Sequence, residues 1–200
     1  MRKILILTLS LLLILPGFAQ KKDITLDDLW KNYAFYPKHI GGFNSMNDGE
    51  HYSTMEKNDD GQEIIKHKFK SGKKVRTLFK STDFEIPKIK NYTFSKDEKQ
   101  LLLATETENI YRHSSKSVYY IYNIHTDKLK KLSDDKVMYA TFSPQGDKIA
   151  YVLDNNLFIQ NINSGKVKQV TTDGKKNHII NGASDWVYEE EFALVRSFEW

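Results

Sequence analysis

Three consecutive glutamates, Glu189 to Glu191, are the side chains whose types and spacing most directly suggest chemistry. They lie among the aromatic residues Trp186, Tyr188 and Phe192, and such neighbours indicate partial burial. Adjacent carboxylates repel one another, and burying them is costly unless a cation completes the group. An ammonium group, such as the amino terminus of a peptide, could supply that charge through charge-assisted hydrogen bonds. A calcium ion could supply it too, and a solvated acidic turn is the simplest alternative.

The glutamates fall where an internal repeat is interrupted. Phe94 and Phe142 lie in similar segments, 48 residues apart, and each is followed by a turn and an apolar run. A second similarity relates residues 122–128 to residues 160–166, and residues 68–73 form a degenerate third copy. If Trp200 takes the place of Phe94 and Phe142, roughly ten residues are inserted around positions 181–192. Insertions in repeat folds fall on one face and are often functional.

The repeat favours a β-propeller. Each unit contains short alternating strands separated by turn residues, and four strands in about 40 to 50 residues is the period of a propeller blade. The sequence therefore predicts an all-β fold, a partial β-propeller of about three to four blades made of four-stranded antiparallel sheets. A β-sandwich is the alternative that the same alternation allows.

Three regions are expected along the chain. Residues 1–19 have the charged start, the apolar run and the small-residue end of a signal peptide, and the apolar run is too short to cross a bilayer. Residues 20–45 form an N-terminal segment with a short helix, in which Thr25 is the N-cap and Asp28 takes the capping-box position. Residues 46–200 form the incomplete propeller. We expect export, with a periplasmic location and no stable membrane anchor.

Composition excludes several classes of protein. The chain has no cysteine, so disulfide frameworks, thiolate zinc sites and a lipid-anchored cysteine are unavailable. The formal net charge is only +4, with bases and acids nearly balanced, which argues against a nucleic-acid partner. None of the histidines has the spacing of a zinc-dependent hydrolase, and we expect no cofactor.

Two motifs resemble one family. The stretch DWVYEEEF at residues 185–192 closely resembles dipeptidyl peptidase IV, of the prolyl oligopeptidase family of serine peptidases. The stretch IYRHS at residues 110–114 is similar to that family's Arg-His motif and lies at the expected distance upstream. The resemblance covers most of the chain from about Asn91 onward.

The resemblance implies roles for individual residues. Glu190 and Glu191 match the family glutamates that bind a substrate's protonated amino terminus, and Arg112 matches the arginine that binds a substrate carbonyl oxygen. Supporting positions are Asp185, Glu189, Trp186 and Tyr188, with the two aromatic rings expected to pack against the acidic turn and orient it. The implied activity is hydrolytic release of amino-terminal dipeptides, typically after proline or alanine, from peptides with a free amino terminus.

The catalytic residues are not expected in these 200 residues. Hydrolysis in this family needs a serine, a histidine and an aspartate, and the serine lies in a Gly-x-Ser-x-Gly elbow. The segment starting at Gly182 approaches that pattern but lacks its second glycine. The resemblance implies a C-terminal α/β-hydrolase domain beyond Trp200 and a homodimeric parent, so the chain alone should be inactive. The alternative is a non-enzymatic propeller that binds peptides or proteins in the cell envelope.

Overall fold

The protein is described by a computed structural model that covers residues 23–37 and 42–200. The chain divides into two units, residues 1–40 and 41–200. The predicted signal peptide lies outside the described residues. Among the described residues, no helix combines the length and the apolar content that crossing a membrane requires.

In the first unit, the predicted helix start is present. A short π-helix spans Asp27–Lys31. Thr25 Oγ1 accepts a hydrogen bond of 3.1 Å from the backbone N–H of Asp28, whose carboxylate accepts one of 3.3 Å from the backbone N–H of Thr25. This reciprocal pair is the capping-box arrangement that the sequence predicted, with aspartate in place of the usual longer side chain.

In the second unit, the strands of the described residues form three four-stranded antiparallel sheets. The first sheet contains β1 (Phe43–Ser45), β2 (His51–Lys57), β3 (Gln62–Lys68) and β4 (Lys74–Lys80). The second contains β5 (Ile89–Phe94), β6 (Gln100–Asn109), β7 (Ser115–Asn123) and β8 (Lys128–Lys131). The third contains β9 (Met138–Phe142), β10 (Lys148–Leu153), β11 (Asn156–Asn161) and β12 (Val167–Gln169). A 3-10 turn, Ser81–Asp83, follows β4, and one α-helix, α1 (Trp186–Phe192), follows β12.

The sheets pack face to face, as propeller blades do. Residues 101–105 of β6 are all buried, because the second sheet is covered on both faces. Leu101 and Leu103 pack with Phe79 of the first sheet. Leu102, which points to the opposite face, packs with Ile149 of the third sheet. A two-sheet sandwich cannot bury both faces of its sheets, so the partial propeller is confirmed, with three blades formed.

The same turn joins the first two strands of each blade. The backbone N–H of its first residue, Met46, Ser95 or Ser143, donates to the carbonyl oxygen five residues later, at 2.9, 3.0 and 2.8 Å. The sequence predicted the second and third copies but missed the first, because Met46 stands where the others have serine. Because this copy was missed, the sequence placed the start of the propeller at residue 46. In the structure the first blade begins three residues earlier, with β1 at Phe43.

Each of these turns has one residue with a left-handed backbone. The positions are Gly49, Glu98 and Gly146, with φ of 68°, 57° and 72°. Glycine adopts this conformation without strain, whereas a side chain with a Cβ does not. Glu98 offsets part of that cost, since its carboxylate accepts a hydrogen bond of 2.6 Å from the backbone N–H of Asn47 in the first blade.

Replacing Gly146 with alanine should lower the free energy of unfolding by about 1 kcal/mol. The reason is backbone strain alone, because no neighbouring atom lies closer than 3.6 Å to the added Cβ. Urea unfolding measures the change. Gly42→Ala is the matched control, since Gly42 has an ordinary φ and open space around its Cβ position. An equal loss of stability in both variants would contradict the strain argument.

Candidate functional site

The three glutamates lie on a short helix rather than on a turn. Asp185 caps the start of α1, where its Oδ1 accepts hydrogen bonds of 2.9 and 3.1 Å from the backbone N–H groups of Val187 and Tyr188. Ala193 ends the helix in a left-handed conformation with φ of 53°. The segment is therefore helical and not the acidic turn that the sequence left as an alternative: the cap at Asp185 satisfies the helix start, and the chain completes about two turns of helix before Ala193.

The helix sends the three carboxylates into different surroundings. Glu189 is buried, with 2% of its surface exposed. The Glu190 side chain is 19% exposed, and Glu191 is exposed. Successive residues of a helix lie about 100° apart around its axis, so Glu189 is turned into the protein while Glu190 and Glu191 lie nearer the surface. In residues 23–37 and 42–200, no group of three or more His, Cys, Asp or Glu side chains is arranged to hold a metal ion.

The structure brings Arg112 to the second glutamate. Arg112 lies in the connection between β6 and β7, which closes on itself through a hydrogen bond of 2.9 Å from the N–H of Ile110 to the carbonyl oxygen of Ser114. Its Nε is 3.3 Å from Glu190 Oε2. The Arg112 side chain is nevertheless 72% exposed, so most of the guanidinium faces solvent. Two motifs that are distant in the sequence thus meet at one charged surface.

Glu189 links the same two elements, α1 and the β6–β7 connection, from inside the protein. Its Oε1 accepts hydrogen bonds of 2.7 Å from the backbone N–H of His113 and of 2.9 Å from that of Ser114. Burial alone would raise the pKa of this carboxyl. The hydrogen bonds from Ser114 and His113, together with the proximity of the His113 ring, outweigh burial and hold the pKa below its ordinary value of 4.5. The carboxylate is therefore charged at neutral pH although it is shielded from water.

Tyr139 lies near this buried carboxylate. It has a left-handed backbone, with φ of 55°, where β9 sets Tyr139 and Ala140 opposite the single residue Tyr151. Burial and the negative charge of Glu189 raise the pKa of Tyr139 to about 12, although the proximity of the Ser114 side chain opposes this rise. Tyr139 could not be predicted from the sequence, because its proximity to Glu189 depends on a bulge that no local sequence pattern indicates.

The aromatic residues of α1 do not pack beneath the helix. Trp186 is 55% exposed and Tyr188 is 53% exposed. With Tyr111 of the β6–β7 connection they line an open hollow of about 800 Å³. The helix is oriented by the Asp185 cap and by Glu189, and the two rings form a surface beside the charged groups.

Comparison with known proteins identifies relatives. Residues 95–200 match the family described as the dipeptidyl peptidase IV N-terminal region. The probable dipeptidyl-aminopeptidase B of Neurospora crassa is 39% identical over 129 residues, covering 59% of this chain and 14% of that protein. Dipeptidyl aminopeptidase A of Saccharomyces cerevisiae is 39% identical over 129 residues, covering 58% of this chain and 13% of that protein.

A solved structure has the same fold. The crystal structure of Porphyromonas gingivalis dipeptidyl peptidase 4 superposes with a TM-score of 0.75 and 40% sequence identity, covering 90% of this chain and 26% of that one. The chain therefore spans about a seventh of the two curated relatives and about a quarter of this structure. The comparisons confirm the family resemblance that residues 110–114 and 185–192 suggested.

Asp185→Ala should destabilise α1 by about 1 kcal/mol, because the backbone N–H groups of Val187 and Tyr188 lose their acceptor. Hydrogen exchange at these two amides should accelerate accordingly. Asp185→Asn is the matched variant, since its side-chain oxygen can accept the same bonds, and it should keep most of the protection. Equal exchange in wild type and Asp185→Ala would show that the cap is unimportant.

The stability of the contact between α1 and the β6–β7 connection should depend on pH. Because the folded-state pKa of Glu189 is lowered, its contribution is fully present above the ordinary value of 4.5 and is lost as pH falls through the folded-state pKa. Glu189→Gln, which cannot ionise, should be less stable than wild type by about 1 kcal/mol at pH 7.

Urea unfolding of both proteins across a pH series measures this difference. It should shrink below pH 4.5 and vanish at strongly acidic pH. A difference that stays constant over the whole series would refute the assignment of a charged Glu189.

Proposed function

Because the chain belongs to the dipeptidyl peptidase IV N-terminal region family, we propose that it is the substrate-recognition propeller region of an exported serine exopeptidase. The parent enzyme releases dipeptides from the amino terminus of peptides, with proline or alanine as the second residue. The observation that carries the proposal is the meeting of Arg112 with Glu190 on the helix that also bears Glu191. This pairs an ammonium-binding group with a carbonyl-binding group at one surface.

Glu190 and Glu191 bind the protonated amino terminus in this proposal. The Glu190 side chain is largely shielded from solvent, so a hydrogen bond to an ammonium is stronger there than in bulk water. Glu191 is exposed and open to an incoming ligand. Two carboxylates at one ammonium favour peptides with a free amino terminus over peptides with a blocked one. An enzyme that fixes the amino end in this way cleaves at a set distance from it.

Arg112 binds a carbonyl oxygen of the substrate. Its Nε is engaged with Glu190, at 3.3 Å. A guanidinium has five N–H donors, so the terminal nitrogens remain able to donate to a substrate oxygen. The ion pair with Glu190 restrains the direction of the fork. A lysine at this position has a flexible point charge without that second set of donors and would not reproduce the geometry.

The rest of the enzyme is proposed to lie outside these 200 residues. The chain spans only about a seventh of its two dipeptidyl-aminopeptidase relatives, which supports a longer parent. In this proposal the parent is homodimeric, and its nucleophile, aspartate and histidine lie in a C-terminal α/β-hydrolase domain. The predicted signal peptide supports export to the periplasm. The isolated chain is expected to bind substrates without hydrolysing them.

The full-length gene product should hydrolyse a chromogenic Gly-Pro substrate. A Glu190→Ala/Glu191→Ala double variant should lose about a hundredfold or more in kcat/KM, because the substrate ammonium is left without its charged partners. An N-acetylated Gly-Pro substrate should be cleaved poorly by the wild type, since it has no charged amino group. Initial rates over a range of substrate concentrations measure kcat/KM for the wild type, for the double variant and for the N-acetylated substrate.

Glu85→Ala is the matched control, because Glu85 is exposed in the connection between the first two blades. A double variant as active as the wild type would refute the assignment of the ammonium site. A full-length protein that has an intact nucleophile but ignores Gly-Pro would point to another peptidase specificity. A full-length protein without a nucleophile would point to a binding propeller.

A further inference from the structure

We propose that Glu189 is the positioning residue of this site: it contacts no substrate, but it holds the β6–β7 connection against α1 so that Arg112 meets Glu190. The inference rests on the proposed function only for what the site binds. The contact itself is a property of the fold.

The burial of Glu189 requires an explanation. A carboxylate with 2% exposure loses nearly all of its hydration, which is costly unless hydrogen bonds replace it. Its replacement partners are two backbone N–H groups at 2.7 and 2.9 Å, both from the β6–β7 connection. Each charge-assisted bond is stronger than an ordinary one, so the pair fixes the backbone on the carboxyl side of Arg112.

The visible ion pair cannot provide the same restraint. Arg112 is 72% exposed, and its contact with Glu190 is a single Nε–Oε2 approach of 3.3 Å. Exposed ion pairs of this kind contribute little stability, because solvent screens them and the long side chain must be ordered. The buried bonds of Glu189 are therefore the stronger link between the two motifs. The ion pair forms because Glu189 has already placed the loop.

Helix geometry makes one residue control the next. Glu189 and Glu190 are neighbours on α1, so binding Glu189 into the protein fixes the rotation of the helix and hence the direction of Glu190. The same two bonds fix His113 and Ser114, the residues that directly follow Arg112. One carboxylate thus sets both halves of the proposed recognition pair.

The bulge in β9 is a separate observation that supports a positioning role for Glu189. Tyr139 has a left-handed backbone that is strained for a bulky residue, at a bulge between β9 and β10. Bulges redirect side chains and occur preferentially near functional sites. Here the bulge brings Tyr139 close to Glu189 and Ser114. Strain of this kind persists where the surrounding structure requires it, which is consistent with a site held in one arrangement.

The test is a double-mutant cycle in the full-length protein. Glu189→Ala should lower kcat/KM for the Gly-Pro substrate roughly ten- to a hundredfold, mainly through a higher KM, because Arg112 is no longer held in place. In an Arg112→Ala background, Glu189→Ala should have almost no further effect, since Glu189 acts through Arg112. If the two single effects instead multiply, Glu189 has only a general structural role and the proposal is overturned.

A second measurement does not depend on activity. Hydrogen exchange at the amides of His113 and Ser114 should accelerate roughly tenfold or more in Glu189→Ala. Glu189→Gln should restore a large part of the protection, because its side-chain oxygen can accept both bonds, and Glu85→Ala should leave exchange unchanged. Unaltered exchange in Glu189→Ala would overturn the proposal even if activity fell.

The activity measurement and the exchange measurement together distinguish failure of the proposed function from failure of the positioning role of Glu189. If the wild type does not cleave Gly-Pro, the proposed function fails, and the exchange data alone decide whether Glu189 holds the loop. If the wild type is active and the exchange of both amides is unaltered in Glu189→Ala, the proposed function stands and the positioning role fails. Circular dichroism and thermal melting of each variant identify any that does not fold, and Glu189→Leu, which keeps the bulk of the side chain but cannot accept either bond, then replaces Glu189→Ala in the cycle.

Discussion

A charged group can remain inside a protein only where hydrogen bonds replace its water, and Glu189 meets that condition through two backbone amides. Those amides belong to a different blade from the segment that carries α1. The bonds therefore join the connection between β6 and β7 to the helix that follows β12. Arg112 and Glu190, which form the ion pair of the candidate site, directly adjoin the bonded residues in the chain, so their contact depends on this joint.

The propeller packing makes such a joint possible. Because the second blade is buried on both faces, its strands are fixed relative to the third blade by the core formed around Leu102 and Ile149. The β6–β7 connection extends from the end of a buried strand pair, whereas α1 lies outside the repeated strands. The rigid second sheet thus carries the connection with Arg112, and the segment after β12 carries α1 with Glu190. Side chains carried by such a rigid scaffold need few bonds of their own to keep their positions relative to one another.

The sequence predicted the parts of the fold that depend on local pattern. Strand alternation and the turns around Ser95 and Ser143 were enough to indicate blades, and Thr25 with Asp28 indicated a helix start. Residue types alone leave the three adjacent carboxylates equivalent, and only the family resemblance distinguished Glu189 from Glu190 and Glu191. Helical rotation makes them different, and a helix of seven residues between two irregular segments has too weak a pattern to be recognised. Tyr139 was missed for a related reason, since it reaches Glu189 only through a bulge in strand register.

The charges of the candidate site also argue for the kind of ligand it binds. Glu190, Glu191 and Arg112 together carry a net charge of −1 at neutral pH, which a single ammonium group would neutralise. A divalent cation would leave the group positive and would have to compete with a guanidinium already 3.3 Å from one of its ligands. A peptide with a blocked amino terminus would leave the negative charge without a partner in a partly shielded position. These charges are consistent with the proposed function, in which a peptide's free amino end supplies a monovalent cation and its nearest carbonyl oxygen supplies a hydrogen-bond acceptor.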